Sequence, residues 1–154
     1  MFVSGRNEHK IKEYALTNPW DVSESNVTFV KNSSALSASD NNMRNVQFNS
    51  NGTELYLGGN QNNNMNKYTL STAWDISTIS STFTAYSLDS RFSNMRGFIF
   101  TANFTMLFVT DDNGATNRIL QYVASCGTTL TCENPENDEA VSYTHLTLPT
   151  IYSV

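Results

Sequence analysis

The octapeptide LSTAWDIS at 70–77 has a near-copy upstream, LTNPWDVS at 16–23, at an offset of 54. Laying 1–30 over 55–84 without gaps pairs Gly5 with Gly59, Tyr14 with Tyr68, Leu16 with Leu70, Trp20 with Trp74, Asp21 with Asp75, Ser23 with Ser77 and Phe29 with Phe83. A second overlap sets MRNVQFNSNGTELYL (43–57) against MRGFIFTANFTMLFV (95–109) at an offset of 52. Tyr122 repeats Tyr68 at the first of these offsets. A tandem array of this period restricts the fold to stacked copies of one supersecondary unit, each burying its apolar face on the next.

The unit reads as four short strands. MRNVQFN (43–49) alternates apolar and polar residues, and ELYLGG (54–59) comes after the Asn51-Gly52 turn. Asn-Gly between alternating segments is a strong hairpin signal, because both residues tolerate positive φ. A third strand is expected over 65–70 and a fourth over 82–88. No ten-residue stretch carries 3.6-residue periodicity. Runs such as LYL and FIF are apolar at consecutive positions, which predicts sheets covered on both faces. Twenty Asn, with abundant Ser and Thr, add polar side chains that compete for backbone hydrogen bonds and favour turns over helix interiors.

These features carry a resemblance. Val46-Gln47-Phe48, Asn51-Gly52-Thr53, Leu55-Tyr56-Leu57-Gly58 and Tyr68 through Ser77 resemble bladed β-propeller repeats of the form G-x-x-F-S-x-D-G-T-x-L-Y-V, then Y-x-L-S-x-x-W-D-I-S, a type found in bacterial and phage proteins. The likeness covers nearly all of 1–125. It departs at Asn103-Phe104, where the turn glycine is lost, and after Ser125, where no Trp-Asp appears. The Trp-Asp pair resembles that of WD-repeat blades, but the Gly-His dipeptide of that family is missing. The resemblance implies an all-β partial β-propeller of about two and a half four-stranded antiparallel blades, in units of about 1–42, 43–94 and 95–140. Within it Tyr14, Tyr68, Gly52, Trp20, Asp21, Trp74 and Asp75 are expected as structural anchors. The tryptophans would pack between blades, and the aspartates would cap the adjoining Ser/Thr-rich turn by accepting backbone N–H bonds.

Both ends depart from the array. Met1 aligns with Leu55, inside a strand, so an internal methionine or the first start codon of a sequencing fragment is expected there. The tail VSYTHLTLPTIYSV (141–154) fits no unit, and its first ten residues resemble a translated transposon-based sequencing adapter. It is set aside as non-native, and His145 with it. Propellers close with ~4 to 8 blades, so 1–140 is expected to be marginally stable or to self-associate. A sharp monomeric melt would overturn that expectation.

The chemistry is sparse. His9 lies in the polar loop RNEHK without a partner of known geometry, and G-x-S-x-G, P-loop and H-E-x-x-H motifs are missing. Asp21 and Asp75 are a poor acid/base pair, because residues repeated once per unit sit in symmetry-related places and do not converge on one substrate. No catalytic residue, metal or cofactor is assigned. DDNGATN (111–117) offers clustered oxygens but lacks the bidentate Glu of a calcium loop, and reads as a β-turn. Arg44 and Arg96 each come directly after a Met at the start of a first strand. They would either line an axial funnel and draw in an anion, or pack their stems and pair with acids. Cys126 and Cys132 form C-x5-C, readable as a small disulfide or as two thiols near a strand end. The N-x-S/T triplets at Asn26, Asn32, Asn51 and Asn103 are what an Asn-rich chain yields by chance.

Nine basic against fourteen acidic residues, a net charge of −5 and no Lys/Arg cluster argue against nucleic acid. No apolar run approaches the ~18 residues of a membrane helix, so insertion is not expected. The expected function is a non-enzymatic scaffold or binding module of a larger secreted, surface or virion protein, with a protein or carbohydrate partner. The alternative is a piece of a lactonase-like or dehydrogenase-like propeller enzyme whose catalytic groups lie in other blades.

Overall fold

Short alternating segments punctuated by Asn-rich turns form ten strands in the computed structural model, which describes residues 1–5, 7–36, 42–60, 64–88, 94–112 and 117–123. The strands make three antiparallel sheets, none of them closed. The first holds β1 (Phe2–Gly5), β2 (Lys10–Leu16) and β3 (Val27–Asn32). The second holds β4 (Met43–Phe48), β5 (Glu54–Gly59), β6 (Asn64–Leu70) and β7 (Ile79–Ser87). The third holds β8 (Met95–Phe100), β9 (Met106–Asp112) and β10 (Asn117–Val123). Each sheet is a meander whose spatial order follows chain order.

Strand bounds keep closely to the offsets. β2 and β6 lie 54 apart at both ends, and β4 and β8 lie 52 apart at both ends. Only the second sheet shows the four strands expected of every unit; the other two have three each among the described residues. The fourth strand starts at Ile79, earlier than the alternation suggested, directly after a single 3₁₀ turn at Ile76–Thr78. A matching 3₁₀ turn, Glu24–Asn26, precedes β3.

The second sheet is the middle layer and is covered on both faces, as its consecutive apolar positions predict. One face packs Leu55, Leu57, Tyr68 and Leu70 against Ile11 and Leu36, with Phe2 at the margin. The other packs Tyr56 and Met65 against Met95, Phe98, Phe100, Leu107 and Val109. One aromatic contact marks each junction: Phe2 meets Phe48 with centroids 4.6 Å apart, and Tyr56 meets Phe100 at 4.9 Å. Phe2 and Tyr56 are counterparts at the offset of 54, and Phe48 and Phe100 at the offset of 52. Gly58 permits the second junction, since a Cβ there would lie 2.6 Å from Met95 Sδ and 2.8 Å from Phe98. The outer faces are open: Val3 and Phe29 are exposed on the first sheet, and Ile99 and Ile119 on the third.

Candidate functional site

The turns that join strands explain most of the anchor positions. Tyr14 and Tyr68 form matching cross-strand aromatic pairs, Tyr14 on Phe29 at 5.8 Å and Tyr68 on Phe83 at 5.4 Å. Asp75 Oδ1 accepts from the Ser77 amide at 3.0 Å, and Asp21 Oδ1 accepts from the Ser23 amide at 2.9 Å. Each carboxylate closes an Asx turn that opens a 3₁₀ segment. Asp75 also accepts from Lys31 Nζ across the first junction at 2.6 Å. The Lys31 hydrogen bond, then the Ser77 hydroxyl and amide, hold the Asp75 carboxyl at about 2, below its ordinary 3.8. Asp21 is also lowered, chiefly by the Ser23 amide. Lys31 was not legible as a partner, because it is far from Asp75 in sequence and its counterpart in the second unit is Ala85.

The tryptophans depart from the expectation of plates packed between units. Trp74 folds back on its own sheet, 5.2 Å from Phe48, and its amide donates to the Gly52 carbonyl at 2.9 Å. Gly52 has φ +72, and a Cβ on it would lie 2.3 Å from the indole. Trp20 is left unpacked. It has the same left-handed backbone, φ 66 against 65 for Trp74, yet is 95% exposed. Among the described residues no counterpart of Phe48 or Gly52 stands beneath it.

Arg44 and Arg96 occupy matching β-bulges, where β4 shifts register between Met43 and Asn45 and β8 between Met95 and Gly97. A bulge inserts one unpaired residue and re-aims its side chain. Here both arginines line one cleft of about 520 Å³, floored by Ile99, Phe108 and Ile119. A second hollow of about 430 Å³ adjoins it and is shared through Arg96, Thr110 and Ile119. Arg96 donates from Nε and Nη2 to Asp112 Oδ2 at 3.0 and 2.7 Å. Arg118 donates to the buried Asp111 at 2.7 Å, whose other oxygen accepts from the Asn94 amide. The Arg44 Nε is buried and has no hydrogen-bond partner among the described residues. Among the described residues, three guanidiniums and two carboxylates line this pair of hollows.

Side chains tie the cleft to the third sheet. Asn45 Nδ2 donates to the Phe98 carbonyl, and Gln47 Oε1 accepts from the Phe100 amide at 2.8 Å. Elsewhere on the second sheet Tyr56 Oη donates to Glu54 at 3.0 Å, and Lys67 reaches the same carboxylate at 3.1 Å. Burial first, then the Glu54 charge, push the Tyr56 phenol above its ordinary value.

His9 lies in the β1–β2 turn, within the polar stretch RNEHK, and is half-buried there with φ 52. Among the described residues no group of three His, Cys, Asp or Glu side chains could hold a metal. Residues 113–116 of DDNGATN, where a β-turn was expected, Cys126, Cys132 and the 141–154 tail lie outside the described residues. No protein family, curated protein or solved structure matches the chain.

Proposed function

We propose that the chain is part of a bladed β-propeller that serves as a non-enzymatic binding scaffold in a larger secreted, surface or virion protein. In this reading the cleft at the two bulges takes an anionic group of a protein or glycan partner. Three successive meanders, packed face on face at offsets of 52 and 54, support the blade reading. The observation that carries the binding reading is Arg44. Its Nε is buried with no hydrogen-bond partner among the described residues, in a hollow whose other guanidinium, that of Arg96, is already paired with Asp112. A buried donor without an acceptor is destabilising until a ligand supplies one. The apolar floor suits the carbon face of a sugar ring or an aliphatic side chain beside that anion.

Retention on an immobilised sulfated or carboxylated polysaccharide tests the reading. Retention should fall with added salt, as expected of a partly exposed charge. It should be lost in an Arg44→Gln, Arg96→Gln double variant, with Arg44→Gln alone accounting for most of the loss. Unchanged retention in the double variant would end the anion reading.

A further inference from the structure

We infer that the β4–β5 and β8–β9 turns are a matched pair of acceptor sites for N-linked sugar, at Asn51 and Asn103. Neither turn lines the arginine cleft.

The number of Asn-x-Ser/Thr triplets is what an Asn-rich chain yields by chance, but their places in the fold differ. Asn51-Gly52-Thr53 and Asn103-Phe104-Thr105 coincide at the offset of 52. The same two backbone bonds close both turns. The Asn49 amide donates to the Glu54 carbonyl and the Gly52 amide to the Asn49 carbonyl, as Thr101 does to Met106 and Phe104 to Thr101. Asn51 and Asn103 are both exposed.

Each turn holds a hydroxyl against the carboxamide oxygen. Asn51 Oδ1 accepts from Thr53 Oγ1 at 2.6 Å and from the Thr53 amide at 3.1 Å. Asn103 Oδ1 accepts from Thr105 Oγ1 at 2.8 Å, from the Thr105 amide at 3.4 Å and from Thr101 Oγ1 at 2.8 Å. Neither Nδ2 has a hydrogen-bond partner among the described residues. Asn-x-Ser/Thr serves as an acceptor on surface turns, and here the Asx turn supplies the bent backbone and the hydroxyl contact ready-made.

The other two triplets lack this arrangement. Asn26 Nδ2 donates to Asp21 Oδ2 and Ser23 Oγ, and its Oδ1 accepts from Asn18 at 3.0 Å. A sugar there would break the turn that Asp21 closes. Asn32 lies in the ladder opposite Lys12, and the Ser33 hydroxyl beside it accepts from the Ile11 amide. No hydroxyl is bonded to the Asn32 carboxamide among the described residues.

The donor is a sugar activated as a diphosphate. The Asn Nδ2 forms a bond to the anomeric carbon, the bond from that carbon to the diphosphate breaks, and the nitrogen gives up one proton to the transferase. β4 and β8 each run from an arginine bulge to one of these turns, and side chains of β4 bond along β8 in the same direction. The two sugars would therefore stand side by side at one end of the sheets and leave the arginine end clear.

The test incubates the folded full chain with a soluble N-glycosyltransferase and a nucleoside-diphosphate hexose. The enzyme is first shown to modify the free peptide SNGTEL, residues 50–55. Free peptides around the other three asparagines give the intrinsic rate of each triplet, and mass spectrometry of protease fragments gives the rate in the chain. After division by the intrinsic rates, transfer at Asn51 and Asn103 should exceed that at Asn26 and Asn32 by about tenfold or more, because a tied-down carboxamide must await local opening. Thr53→Val should abolish transfer at Asn51 and Thr53→Ser should keep it, with Asn103 in the same sample unchanged. No transfer at either turn, or normalised rates alike at all four asparagines, overturns the inference.

Discussion

The second and third sheets solve the same problem in opposite ways. Both cover the end of their first strand with an aromatic ring, over Phe48 in one and Phe100 in the other. In the second sheet the turn residue is Gly52, and the ring is brought from the β6–β7 loop by Trp74. In the third the turn residue is Phe104, the counterpart of Gly52 at the offset of 52, and it supplies the ring itself, stacked on Phe100 at 4.8 Å. Each solution places one aromatic residue in the left-handed region, Trp74 at φ 65 or Phe104 at φ 56. That conformation costs about 1–2 kcal/mol for a residue with a Cβ. The strain is kept and only its location moves, so the covered ring, and not the turn chemistry, is what the two sheets share.

The largest effect expected from this comparison is at Gly52. Gly52→Val puts a branched residue at positive φ and drives its Cβ into the indole, so denaturant unfolding should lose about 3 kcal/mol. Phe104→Gly should change stability by about 1 kcal/mol or less, because relief of strain offsets the lost stacking. Equal losses at the two positions would mean the turns are not alternative solutions.

Next in size is the contrast between the tryptophans. Trp74→Ala uncovers Phe48 and should cost about 2 kcal/mol. Trp20→Ala, at a side chain 95% exposed, should stay within about 0.5 kcal/mol. A large loss at Trp20 would show that it packs on something in solution.

The smallest effect is electrostatic. The Asp75 carboxyl is depressed in the folded chain, so its stabilising contribution is complete above its ordinary value of 3.8 and is lost as pH falls toward about 2. Carboxyl NMR titration should place the Asp75 midpoint near 2, and Lys31→Met should raise it while leaving Asp21 unchanged. An Asp75 that titrates at its ordinary value would remove the clasp between the first two sheets.

What could be read from the chain beforehand was whatever is local. The Asn51-Gly52 turn declares the positive φ of Gly52 in its own sequence, and alternation at 43–49 declares a strand. The missing glycine at Asn103-Phe104 was visible, but not that the phenylalanine would cover its own sheet. The bulges at Arg44 and Arg96 were hidden, because a bulge exists only relative to the partner strand. The Lys31–Asp75 contact was hidden for the same reason, with the added handicap that it breaks the offset. Trp20 keeps the backbone of Trp74 without its contacts among the described residues, which the repeat alone did not show.

Every pairing in the three sheets joins strands adjacent in sequence, and this has a consequence for synthesis. A ribosome adds about 5–20 residues per second, so a unit of about 54 residues emerges in roughly 3–10 s. Hairpins close in microseconds, far ahead of that pace. Each meander can therefore be complete before the next one leaves the tunnel, and the growing chain always presents one finished apolar face to its successor. Vectorial assembly of this kind relies on local pairing throughout and keeps unpaired segments brief.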